Sequence, residues 1–157
     1  MQAQELESTR GRRARVEALR GRAVVVFYES RGHTDVNEPL KQLCGRLTTE
    51  AGDRLDVLGV ANLRGLSFGA VRRLVTAAVK AVAARYGAEL WMDFEGALLQ
   101  APYRLRDDAA NVLVLAPDGR ELFRAHGPVT GEQRARFVEA LRRVLTEAGA
   151  EAPSLAA

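Results

Sequence analysis

The chain is poor in sulfur and in aromatic rings. It has one cysteine, Cys44, among 157 residues. No intrachain disulfide can therefore form, and a reducing compartment disfavours one between two copies. No apolar run reaches membrane-spanning length. Residues 1–20 are polar and charged and lack the apolar centre of a secretory leader. These absences lead to the expectation of a cytoplasmic protein with no membrane partner. Charge of one sign is also scarce. The formal net charge is only +3, and acidic residues are interspersed among cations that are nearly all arginine. That mixing marks solvated surfaces rather than a phosphate-tracking stripe, so no nucleic-acid partner is expected. The glycines of residues 65–69 lack the spacing and the lysine of a phosphate-binding loop, which removes nucleotide binding.

What the sequence does contain is a centre. Ala23, Val24, Val25, Val26, Phe27 and Tyr28 form an unbroken β-branched and aromatic run. It reads as a strand buried on both faces. The polar segment 29–35 follows, and a helical pattern starts directly after it. In α/β folds the chemistry sits where a strand ends in a loop and a helix begins.

The remaining elements fall into order around this centre. Residues 1–9 read as a flexible lead-in and Ala14 to Val16 as a short edge strand. The first helix starts near Asp35 or Asn37, each placed to cap it, with Pro39 in its first turn. Its apolar face is Leu40, Leu43, Cys44 and Leu47. A second strand covers 55–60. A long helix over 70–86 has Val71, Leu74, Val75, Ala78, Val82 and Tyr86 on one face, and Gly87 stops it. A short strand at 89–92 and a short helix within 97–105 follow. A hairpin over 111–125 turns at Pro117-Asp118-Gly119. The last helix ends near Glu147 with Phe137, Leu141, Val144 and Leu145 facing inward, and 149–157 reads as a disordered tail. At this length a single domain is expected, over 10–148.

The order β-α-β-α-β-β-α, with Phe27-Tyr28-Glu29-Ser30 closing the central strand and Val112 to Arg120 forming an Asp-Gly hairpin, resembles the thioredoxin-fold group that includes TlpA-type and peroxiredoxin-type proteins. Asn37 to Leu40, Tyr103 to Leu105 and Gly127 to Glu132 look closest to the YtfJ-like branch. The resemblance implies an α/β, thioredoxin-like fold, a central mixed β-sheet flanked by helices on both faces. Redox-active members carry two cysteines separated by two residues after the central strand. Gly32 and Asp35 stand at those positions here. Those members also carry a cis-proline before the late strand, where this chain has Ala110. A non-proline cis bond costs about 3 kcal/mol, so a trans peptide is expected there.

The candidate residues each have two readings. Cys44 is a thiol nucleophile or a small apolar residue on the inner side of a helix; the second suits a residue type so often buried. His33 and Asp35, with Glu29 or His126, form an acid–base or metal site, or merely a capped helix start. One histidine beside one aspartate falls short of the three or four ligands a metal site needs, so no metal and no cofactor are assigned. Trp91, Phe94 and Tyr103 line a partner groove or fill the core, and core packing is the better account for at least two. The functional expectation is a redox-inactive protein-binding or regulatory module, its partner another protein. The contacts are assigned to Ser30, Arg31, Gly32, His33, Thr34, Asp35, Asp107, Asp108 and Ala110. The alternative is a thiol-dependent oxidoreductase or peroxidase using Cys44.

Overall fold

The computed structural model describes residues 5–19 and 21–147. The expected tail at 149–157 and the first four residues of the expected lead-in lie outside them. Seven strands form one mixed sheet: β1 (Glu5–Ser8), β2 (Arg13–Arg15), β3 (Ala23–Ser30), β4 (Leu55–Asn62), β5 (Leu90–Asp93), β6 (Ala110–Leu115) and β7 (Glu121–His126). Their spatial order is β2-β1-β5-β4-β3-β6-β7. β3 lies beside β4, parallel, and β6, antiparallel. All eight residues of β3 are buried, as the apolar run requires.

Helices α1 (Glu38–Ala51), α2 (Gly69–Tyr86) and α3 (Gly131–Glu147) complete the α/β fold. α1 and α3 cover one sheet face. Leu40, Leu43, Cys44 and Leu47 of α1 meet Phe137, Leu141, Val144 and Leu145 of α3 over Val25, Phe27, Val112 and Val114. Here helical spacing and packing agree residue by residue. α2 lies on the same face farther out, where Val75 and Val79 rest on Leu63, Met92 and Phe94. Right-handed β-α-β crossovers from β3 to β4 and from β4 to β5 put both helices on one side. The opposite face is covered by two 3-10 helices, Val16–Leu19 and Ala97–Leu99, and by Tyr103 and Leu105. Trp91, Phe94 and Tyr103 are all buried.

Four expectations need correction. Glu5–Ser8 belongs to the sheet rather than to a flexible lead-in. It pairs with β2 and β5, and Leu6 is buried beneath it. The short helix expected within 97–105 shrinks to one 3-10 turn, because Asp93 gathers the N–H groups of Ala97 and Leu98. On α2, Leu74, Val82 and Tyr86 point to solvent, and Ala83 is the buried residue of the helix. Of the face that periodicity marked, Val75 does meet the sheet, and the covered side continues through Val79 and Ala83 instead. Asn37 precedes α1 yet makes no side-chain cap bond.

Asn37 instead joins the two ends of the domain. Its Nδ2 donates to the Gly127 carbonyl at 3.0 Å, and its Oδ1 accepts from the Val129 N–H at 2.8 Å. Both lie at the entrance to α3, and Asn37 is 2 % exposed. Asn37→Ala leaves a buried donor and acceptor without partners and is expected to cost about 2 kcal/mol. Urea denaturation measures this; an unchanged midpoint would show that water replaces both bonds freely.

Candidate functional site

The C-terminal ends of β3 and β4 and the N-terminal end of β6 converge at one edge of the domain. Ser30 ends β3, Asn62 ends β4, and 106–109 leads into β6. The Ser30 backbone N–H donates to the Ala109 carbonyl at 3.0 Å. The Ser30 hydroxyl accepts from the Ala109 N–H at 3.3 Å and from Asn62 Nδ2 at 3.1 Å. Asn62 Nδ2 also reaches Asp107 Oδ1 at 2.7 Å, and Arg64 holds the other oxygen of Asp107 at 3.2 Å. His33 Nε2 lies 3.2 Å from Asp108 Oδ1. These bonds fasten the two expected contact segments together.

Within that assembly Arg31, Gly32, Thr34 and Asp35 are exposed, as are Asp107 and Asp108, and His33 is half-buried. Ser30 and Ala110 are buried. Ala110 therefore offers no side chain to a partner; it opens β6 opposite Glu29. Gly32 has a φ of +86°, a left-handed turn suited to glycine, and Asp108 adopts a φ of +51°. Among the described residues the cis peptide is Ala101-Pro102, so the bond before Ala110 is trans. The expected side-chain cap from Asp35 is not made: its carbonyl accepts from the Glu38 N–H at 3.4 Å in a turn ahead of α1, whose N-cap is Asn37. No group of three or more His, Cys, Asp or Glu able to hold a metal occurs among the described residues.

Beneath the loop lies a pair that spacing alone does not reveal. Lys41 Nζ, one turn into α1, donates to Glu29 Oε1 at 2.6 Å and to the Thr34 carbonyl at 2.7 Å. The second oxygen of Glu29 is buried without a hydrogen-bond partner. Burial pushes the Glu29 carboxyl above its ordinary value, and Lys41 pulls the other way without cancelling the effect. A single acid at the end of an otherwise apolar strand was the available signal. Farther in, the Tyr28 hydroxyl donates to Asp93 at 2.7 Å. Burial first, then the Asp93 charge, raises the Tyr28 pKa, so the phenol stays protonated. This bond ties β3 to β5 and leaves Tyr28 no free role at the surface.

Cys44 sits in the α1–α3 core at 0 % exposure. Burial pushes its thiol pKa up to about 12. A reactive cysteine needs the reverse, a partly exposed thiolate in positive surroundings. A cleft of about 600 Å³ lies at the opposite end of the sheet, floored by Leu6, Val24, Leu58 and Trp91. Of the four arginines that line it, Arg12 is paired with Glu89 and Arg22 with Asp56. The strand-end cluster is the better candidate because the exposed 31–35 loop and Asp108 sit there on a frame bonded together by Ser30, Asn62 and Arg64.

The overall geometry matches solved structures. The pneumococcal exposed lipoprotein thioredoxin of Streptococcus pneumoniae is 18% identical, with a TM-score of 0.61 over 88% of this chain and 98% of that one. The fold is thioredoxin-like. A putative protein disulfide isomerase from Bacteroides thetaiotaomicron gives 17% identity and a TM-score of 0.62, covering 94% of this chain and 89% of that one. BsSco, a member of the Sco family of cytochrome c oxidase assembly proteins, gives 12% and 0.56 over 88% and 90%. Identities this low carry the fold and not the activity. No protein-family model matches the sequence, and no curated protein does.

The raised Glu29 pKa has a direction that can be measured. An acid whose folded pKa exceeds its unfolded one binds its proton more tightly in the native state. Its contribution is full below the unfolded pKa and is lost as pH rises from the ordinary 4.5 through the folded value. Glu89 has the opposite sign: the Arg12 hydrogen bond lowers its pKa, so its contribution disappears as pH falls. Denaturation midpoints across this range are expected to fall with rising pH in the native chain and to flatten in Glu29→Gln. Identical slopes in the two proteins would contradict the assignment.

Proposed function

We propose that this chain is a redox-inactive thioredoxin-fold protein that acts as a protein-binding or regulatory module: an inhibitor, adaptor or chaperone of another protein. The observation that carries this reading is the state of its one thiol. Cys44 is sealed in the α1–α3 core, and burial pushes its pKa up to about 12. Thiol–disulfide exchange requires a thiolate with access to its partner. Gly32 and Asp35, at the places where redox members of the group carry cysteines, supply neither. The alternative of an oxidoreductase or peroxidase relying on Cys44 meets the same obstacle. The likeness to the YtfJ-like branch, cytoplasmic location and absence of enzymatic activity belong to this reading.

Recognition then falls to the strand-end surface. Residues 31–35 and 107–108 present backbone and side-chain groups to solvent on a frame held by Ser30, Asn62 and Arg64. The acidic pair Asp107-Asp108 favours a basic segment of the partner. Such a segment gains from solvent-exposed carboxylates chiefly in specificity and rate of encounter.

Two measurements test this. Iodoacetamide is expected to label Cys44 only after denaturation; rapid labelling of the native protein would revive the thiol chemistry. Cross-linked capture from lysate, read by mass spectrometry, is expected to return a defined partner that is lost on charge reversal, Asp107→Lys with Asp108→Lys. Capture unaffected by that change would move the contact elsewhere, and no defined partner would end the module reading.

A further inference from the structure

We propose that Lys41, seated on Glu29, is a positioning residue for the strand-end loop: it holds residues 31–35 in the shape that meets the partner. This role presupposes the protein-binding module proposed above. Three observations meet at these two side chains.

The first is where Glu29 stands. Alternation along β3 sends Val25 and Phe27 into the α1–α3 core, and Glu29 is the next residue of that row. Its side chain is 10% exposed. Oε1 accepts from Lys41, while Oε2 is buried without a partner. A carboxylate so placed gives up its water and regains a single hydrogen bond. Two apolar side chains of similar size would stabilise the fold as well or better. Stability alone therefore gives no reason for this pair.

The second is what else Lys41 holds. Its ammonium also donates to the Thr34 carbonyl at 2.7 Å, inside the loop. It lies 5.9 Å over the Phe27 ring. The Lys41 backbone N–H donates to the Asn37 carbonyl at 3.1 Å, and Asn37 is the residue that bridges to Gly127 and Val129. One side chain thus ties the Thr34 carbonyl to the buried frame of the domain. Glu29 acts through Lys41. Without a buried anion beneath it, a lysine in the first turn of α1 would turn its ammonium to water.

The third is how little else holds the loop. Arg31, Gly32, Thr34 and Asp35 are exposed. Among the described residues, its other side-chain bond joins His33 to Asp108. Those side chains are 37% and 89% exposed, so that pair contributes little. The His33 N–H donates to the Ser30 carbonyl at 3.0 Å and closes the turn from within. With Lys41 in place the loop is ordered before the partner arrives, and binding is spared the cost of ordering it.

The experiment follows exchange of the His33 amide by NMR in the full chain, with the urea midpoint measured alongside. Lys41→Met leaves Glu29 buried and unpaired, so the midpoint is expected to fall and His33 to exchange faster. Adding Glu29→Leu is expected to return the midpoint to the native value or above. His33 is expected to stay at least about tenfold faster than in the native chain, the scale set by one charge-assisted bond. Cross-linked capture of the partner is expected to fall about tenfold in the double variant. Native exchange in the double variant, or exchange that recovers in step with the midpoint, would make the pair merely structural and overturn the proposal. Fast exchange with undiminished capture would overturn it too, while leaving the module intact. Failure of the native chain to capture a defined partner would remove the module, and the positioning role with it.

Discussion

The structure depends on a strand with no solvent-facing side. β3 is paired along both edges and covered on both faces, so its backbone polar groups face neighbouring strands rather than water. Its parallel neighbour β4 demands a crossover helix, and its antiparallel neighbour β6 goes on to form a hairpin with β7. Once β3 is fixed, α1 and α3 have a single apolar floor on which to meet. The strand-end loops inherit their positions from it. Ser30 is the last residue of β3, and its N–H and hydroxyl hold Ala109 from far along the chain.

The core was legible because its signals are local and repeated. Leu40, Leu43, Cys44 and Leu47 are spaced for one helical face, and Phe137, Leu141, Val144 and Leu145 for another. Both faces are buried as the spacing predicts. The same rule misplaced α2. Alanine is abundant on that helix, so apolar spacing does not distinguish the face that meets the sheet from the face that meets solvent. Strand β1 escaped notice because it is short and holds a single apolar residue, Leu6, and its place is set by β2 and β5 rather than by its own propensity.

The candidate site was legible in outline only. The meeting of the first loop with 107–110 follows from the thioredoxin-like resemblance, since nothing in local spacing joins His33 to Asp108. What holds the two together came from Asn62 and Arg64, polar residues after a strand that read as ordinary loop. Asn37 shows a related ambiguity. Its position before Pro39 fits a cap, yet its amide bridges to Gly127 and Val129, ninety residues on. A side chain able both to donate and to accept has choices that only tertiary contact resolves. Glu29 and Lys41 are the costly part of this region. A carboxylate with one buried oxygen unmatched sits beneath the loop, in a place where an apolar side chain would pack without that penalty.

The two outer strands have a bearing on how this protein behaves when crowded. An open sheet exposes unpaired backbone groups along its borders, and these invite edge-to-edge growth with other chains. One border here, β2, is three residues long with arginine at both ends. The other, β7, alternates Phe123 and Ala125, turned inward, with exposed Glu121, Arg124 and His126. Short length on one side and outward charge on the other blunt both borders against edge-to-edge pairing with a second chain.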